Sequence, residues 1–501
     1  MEAQMRELRA RLSEIGDLNA AAAVLSWDQN THMPPGGAAA RGRQLATLRR
    51  LGHEKATDEA LGALLEALAP YEQGLPYDHD DAALVRVARR QFERSARIPP
   101  ALVAELAAQG AASYNAWTRA RPANDVATMI PHLERTLELS RRVAECFPGY
   151  EHIADPLIDG ADYGMRAETV RRLFAELRDR LVPLAQAITA RPPADDSCLR
   201  QHYPEAAQRA FGELVARQFG YDFSRGRQDK TAHPFAIRFA SGDVRITTRF
   251  DEHNLAEGLF STLHEAGHAM YEQGVNPAYD GTPLARGTSA GVHESQSRLW
   301  ENLVGRSRPF WEHSYPQLQA AFPAQLGAVP LDTFYRAINK VERSLIRTDA
   351  DEVTYNLHVM IRFDLELAML EGRLAVKDLP EAWNERYRAD LGIAPPEPRD
   401  GVLQDVHWFY STIGGSFQGY TIGNILSAQF FQAARTARPE IDGAIGRGEF
   451  GALHAWLREQ IYVHGSKYTT AELVERVTGE GLTIEPYMAY LAAKYGELYG
   501  L

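Results

Sequence analysis

The stretch Asp251–Gly274 reads DEHNLAEGLFSTLHEAGHAMYEQG. Acidic residues open it, Gly274 closes it, and Leu255, Leu259, Ala266 and Met270 mark one buried face, so the pattern predicts a helix. Within it, His264-Glu265-Ala266-Gly267-His268 places two histidines at i and i+4. On a helix these imidazoles lie one above the other and can grip a single ion. Glu265 projects beside the first of them and is suited to hold a water. The competing reading is a surface helix with two solvated histidines. Phe260, one turn before His264 on the same row, favours a partly buried site.

Two histidines do not complete a catalytic zinc, which takes three protein ligands and keeps one place for water. The next candidate is Gly291–Arg298 (GVHESQSR), in a helical stretch that runs on through Leu299 and Leu303. Glu294 follows His268 by 294 − 268 = 26 residues. That leaves room for the Pro/Gly-rich loop 275–291 and a second helix packed beside the first. Glu294 could instead form a surface i,i+4 ion pair with Arg298, worth a few tenths of a kcal/mol. Glu301, seven residues on, competes as the ligand; spacing favours Glu294. A His₂Glu site would take zinc, and would also accept cobalt or manganese.

Most of the remaining sequence repeats apolar residues at helical spacing. Met5, Leu8, Leu12 and Ile15 form one stripe, and similar stripes recur over 83–94, 101–118, 125–147, 167–190 and 205–219. A mainly α architecture is expected. One segment departs from it: His233–Phe250 (HPFAIRFASGDVRITTRF) alternates β-branched and aromatic residues with polar ones around Ser241-Gly242-Asp243. This is a hairpin signature, expected to belong to a small sheet packed on helices. The segments 191–204, 275–291 and 392–401 are rich in Pro and Gly, and they read as long loops within one helical body.

The chain has 501 residues, with 54 Lys+Arg against 66 Asp+Glu for a formal charge of −12. No basic excess exists to displace counterions from phosphates, which argues against nucleic-acid binding. The two cysteines, Cys146 and Cys198, cannot form a disulfide framework and suit a reducing cytosol. The amino-terminal MEAQMRELRARLSEIG lacks the apolar core of a signal peptide. The nearby apolar run Ala20–Leu25 is far short of the roughly 20 residues that span a bilayer. A cytoplasmic protein without membrane attachment is expected.

Five ordered motifs resemble the carboxypeptidase Taq family of HEXXH-type zinc metallocarboxypeptidases. They are His233-Pro234-Phe235, Asp243-Val244-Arg245-Ile246-Thr247, the HEAGH segment, His293-Glu294-Ser295-Gln296-Ser297-Arg298, and Gly401–Trp408 (GVLQDVHW). Trp27–Pro34 (WDQNTHMP) and His464–Leu473 (HGSKYTTAEL) are also similar to that family, and Gly415–Tyr420 (GSFQGY) matches one of its variants. The resemblance implies one catalytic domain over 1–501, an elongated, mainly α body with a deep groove and a small β-sheet, similar to neurolysin and angiotensin-converting enzyme. It implies a homodimer that removes carboxy-terminal residues from peptides with broad specificity. His264, His268 and Glu294 would bind zinc, and Glu265 would be the general base.

The chemistry also needs a donor for the oxyanion. His407 and Tyr420 are the candidates, each a polar tip on an otherwise apolar segment, although either could simply be packed. His233, Asp243, Arg245 and Thr247 are expected to bind substrate, with Asp243–Thr247 as an edge strand that pairs with an extended peptide. Arg347 could offer a bidentate fork to a terminal carboxylate, or pair with Asp349 or Asp351. The alternatives are an oligopeptide endopeptidase or dipeptidase on the same zinc site, and a binding protein with a structural metal. Glu265 argues against the last, because a closed four-ligand site needs no adjacent base.

Overall fold

Stretches rich in Ala and Leu fold into twenty-two α-helices, seen in a computed structural model that describes residues 1–501. Each expected amphipathic stripe lies in a helix: Glu2–Thr31, Asp80–Arg97, Pro100–Ala120, Val126–Glu145, Ala167–Thr189 and Glu205–Phe219. The largest hydrophobic core joins residues from Leu102 to Leu498, so the chain on both sides of loops 191–204 and 392–401 shares one interior. A separate core of 16 buried residues holds the amino-terminal helices against Val275–Ala285, the segment that leaves the HEAGH helix. Both cysteines are free thiols. No helix is long and apolar enough to cross a membrane.

The HEAGH helix spans Leu255–Gly274. It begins four residues later than the acidic start suggests, because Asp251 and Asn254 close a turn in which Asp251 accepts from the His253 amide at 2.8 Å. It is buried on nearly every side rather than along one stripe. Helix Ala290–Arg298 crosses it at Gly267, where an added Cβ would lie 2.6 Å from the Gln296 carbonyl. On its other side the same helix meets Gln418–Ala437, where a Cβ on Gly423 would lie 2.5 Å from the Glu294 side chain. Glycine at both crossings brings three helices together, and this carries Glu294 over the two histidines.

The hairpin forms as expected, with β2 (Ala236–Ala240) and β3 (Asp243–Thr248) joined through Ser241-Gly242. A third strand, β1 (Gln228–Lys230), pairs parallel to β3, and the sheet order is β1-β3-β2. The expected edge strand Asp243–Thr247 is therefore the central strand, with both of its main-chain sides taken. The outer strand on the hairpin side is β2. The β3 side chains expected to meet substrate also make contacts within the protein. Arg245 forms a two-pronged bond to Asp243 at 2.8 and 2.7 Å and lies over the Trp27 ring, 4.3 Å from its centroid. Thr247 is fully buried and its hydroxyl bridges Phe235. These three residues tie the sheet to itself and to the first helix. His233 is exposed in the turn that leads into β2.

Candidate active site

His264, His268 and Glu294 converge, with one ligand atom from each lying within 4.8 Å of the others. Glu294 Oε2 is 3.7 Å from His264 Nε2 and 3.5 Å from His268 Nε2. A tetrahedral ion with bonds of about 2.0–2.1 Å separates its ligands by roughly 3.4 Å, so the three atoms fit such an ion.

The hydrogen bonds on the far side of each histidine agree with that fit. His264 Nδ1–H donates to Glu301 Oε2 at 2.9 Å, leaving Nε2 as a lone pair facing the site. His293 Nε2–H donates to Glu272 at 2.8 Å, so its Nδ1 accepts from His268 Nδ1–H at 2.6 Å and again leaves Nε2 free. Such outer partners fix the tautomer and orientation of a metal-binding imidazole. Glu301 thus holds a histidine from behind. Leu299–Val304 is a π-helical turn directly after Arg298, and it carries that carboxylate.

The two oxygens of Glu294 face different partners, and its pair with Arg298 is buried rather than on the surface. Oε2 faces the histidines, while Oε1 accepts from Arg298 Nε at 2.7 Å. Arg298 also donates to Glu301 at 3.2 Å, and Arg306 adds a second cation there. Burial pushes both carboxyls up, but Arg298 outweighs it: Glu301 is held at about 2 and Glu294 lower still. Burial lowers His268 to about 4, leaving it neutral and able to ligate. Glu265 behaves differently. It is 6% exposed, burial pushes it up to about 7, and its Oε2 has no partner. A buried, unpaired carboxylate oxygen beside a site for a cation is poised to handle a proton.

The other expected residues gather in a second cluster. His407 Nδ1 bonds to Asp405 at 2.5 Å, and His407 Nε2 lies 3.4 Å from the Tyr420 hydroxyl. Arg347 does not pair with Asp349 or Asp351. Its Nε and Nη2 donate to Asp405 at 2.6 and 3.3 Å, and its Nη1 donates to the Tyr355 hydroxyl at 2.9 Å. Arg347 is therefore not an open fork. Arg362 donates to the same Asp405 at 3.0 Å, so two guanidiniums share one carboxylate and positive charge is left over. Tyr355 links the clusters: Arg298 lies 4.6 Å from its ring centroid. The His293–Glu272 relay, Asp405, Tyr355 and Arg362 were not singled out by spacing. Of these, His293 and Asp405 sit inside quoted motifs, and only tertiary contact assigns their work.

The profile of the carboxypeptidase Taq (M32) metallopeptidases matches residues 7–495. The thermostable carboxypeptidase 1 of Thermus thermophilus is 45% identical over 515 residues, covering 100% of this chain and 99% of that protein. Carboxypeptidase 1 of Bacillus subtilis is 36% identical, covering 97% of each. Among solved structures, an M32 carboxypeptidase from Deinococcus radiodurans is 52% identical with a TM-score of 0.97, covering 100% of both chains. Metallocarboxypeptidase 1 of Trypanosoma cruzi is 30% identical with a TM-score of 0.94, covering 99% of this chain and 100% of that one.

Proposed function

Because the chain belongs to the carboxypeptidase Taq (M32) metallopeptidase family and is a metallocarboxypeptidase, we propose that it releases single residues from the carboxy terminus of peptides with broad specificity, using zinc held by His264, His268 and Glu294. Residues 1–501 act as one catalytic domain, in a cytoplasmic homodimer. The observation that carries this reading is the meeting of three ligand atoms beside the unpartnered Oε2 of Glu265.

A bound divalent cation supplies Lewis acidity, lowering the pKa of a water toward neutrality and polarising the scissile carbonyl. Glu265 Oε2 takes the proton of the attacking water and returns it to the leaving amine. Tyr420 donates to the oxyanion, and His407 adds a second donor at Nε2 when its ring carries both protons, the Nδ1 proton being held by Asp405. The surplus charge of Arg347 and Arg362 over Asp405 attracts the terminal carboxylate. The outer edge of β2 pairs with the peptide main chain, which ignores side-chain identity and suits broad specificity.

One peptide compared with a free and an amidated carboxy terminus tests this reading. The free form should be cut at least tenfold better in kcat/KM, a difference of about 1.4 kcal/mol. Arg347→Met should narrow that ratio. Equal rates, or products longer than one residue, would favour the endopeptidase alternative.

A further inference from the structure

One helical turn beyond His268, Glu272 lines a cavity that the three candidate ligands themselves do not line. Its volume is about 520 Å³, and it lies between helices Glu2–Thr31 and Asp80–Arg97, strand β2 and the loop ending at Arg286. Half of its lining is apolar, and its only charged residues are Arg238, Glu272 and Arg286. Two of these are engaged. Glu272 accepts from His293 at 2.8 Å and from the Gly287 amide at 3.0 Å. Arg238 pairs with Asp280 and lies 3.5 Å from Glu272. Arg286 lines the cavity as an exposed residue with neither an ion pair nor a side-chain hydrogen bond, and the Glu272 carboxylate and the Arg90 guanidinium are the charges that act on it. No step of the proposed chemistry uses it.

We propose that this cavity receives the peptide upstream of the cut bond and that Arg286 selects an acidic side chain there. The inference rests on the carboxypeptidase reading: only one residue then lies downstream, so a cavity of this size one helical turn from His268 belongs to the upstream chain. Glu272 stands about 6 Å along the helix from His268. An extended peptide advances about 3.3 Å per residue, so the side chain that meets Arg286 sits roughly two to four residues before the bond. Strand β2 contributes Arg238 and Phe239 to the wall, so a peptide paired with its outer edge would run beside the same cavity. A guanidinium without a partner, set in a half-apolar wall, offers its planar fork to a carboxylate more readily than to any neutral group.

The test uses peptides that share one carboxy-terminal residue and carry Glu, Gln or Lys at each of the five positions before the bond. At one of these positions Glu should exceed Gln at least fivefold in kcat/KM, mainly through KM. In Arg286→Gln that ratio should fall to near one while the ratio of free to amidated peptide persists; in Arg286→Glu, Lys should become the preferred residue. The absence of a Glu preference at every position would overturn the proposal, as would its persistence in both variants. Loss of the free-to-amidated ratio in Arg286→Gln would also overturn it, by making Arg286 the anchor of the terminal carboxylate. If no peptide in the set is cut, the carboxypeptidase reading itself fails. Fluorescence anisotropy of labelled Glu and Gln peptides on the same protein still reads the subsite, with tighter binding of the Glu form expected and equal binding contradicting it.

Discussion

Glu294 divides its two oxygens between different tasks, one turned to the histidines and one to Arg298. Glu301, the competing ligand by spacing, instead fixes His264 from behind. The two carboxylates should therefore fail differently. Glu294→Ala should leave purified protein without bound metal, because a ligand is gone. Glu301→Ala should weaken metal affinity by about 10–100-fold and recover its metal when the ion is in excess. Equal loss in both variants, measured by elemental analysis at matched free metal, would contradict the assignment. His264, Glu265 and His268 were legible in the sequence because i and i+4 positions on a helix are neighbours by local geometry alone. Tyr355 and Arg362 were not, since they reach Arg298 and Asp405 only through tertiary packing.

At the scale of elements, the hairpin was legible from its alternation and its Gly-containing turn. The rank of its strands was not. β1 is only three residues long, Gln-Asp-Lys, too short and polar to register as a strand, yet it occupies the side of β3 expected to be free. The Thr247 amide donates to the Phe235 carbonyl at 2.9 Å, so by the alternation of an antiparallel pair Ile237 faces β3 and Ala236 faces outward. Proline removes a donor at either position with different consequences. Ala236→Pro should raise KM for peptides with metal content and melting temperature little changed. Ile237→Pro should lower the melting temperature, because it breaks the ladder to Arg245. Unchanged kinetics in Ala236→Pro would leave β2 as a structural strand. The glycines at the helix crossings were visible as letters only; their need for close approach appears once Gly267 and Gly423 are seen against Gln296 and Glu294.

Across the whole molecule, stability should carry a signature of one buried acid. Glu366 is fully buried, accepts from Trp408 Nε1 at 2.8 Å, and has an unpartnered second oxygen; burial pushes it up to about 7. The native carboxyl holds its proton to higher pH than the unfolded chain does. Its contribution is therefore full below about 4.5 and is lost as pH rises through about 7. Glu366→Gln keeps an acceptor for Trp408 and has nothing to ionise. Relative to this variant, the unaltered protein should lose up to roughly 3 kcal/mol of unfolding free energy between pH 5 and 8. A difference between the two that stays constant with pH would contradict this. The mainly helical architecture was legible from apolar periodicity, whereas the second core around the amino-terminal helices was not, because its partner segment Val275–Ala285 lies far along the chain. The claim that joins these scales is that one metal centre and one carboxylate base remove one residue at a time. It is tested most directly by mass spectrometry of a peptide incubated with the unaltered protein and with Glu265→Gln, each with its bound metal counted. The expected result is a ladder of products shortened singly from the carboxy terminus by the unaltered protein, with Glu265→Gln slower by about 10²-fold or more at equal metal content. Near-equal rates in the two proteins, or internal fragments from the unaltered one, would contradict it.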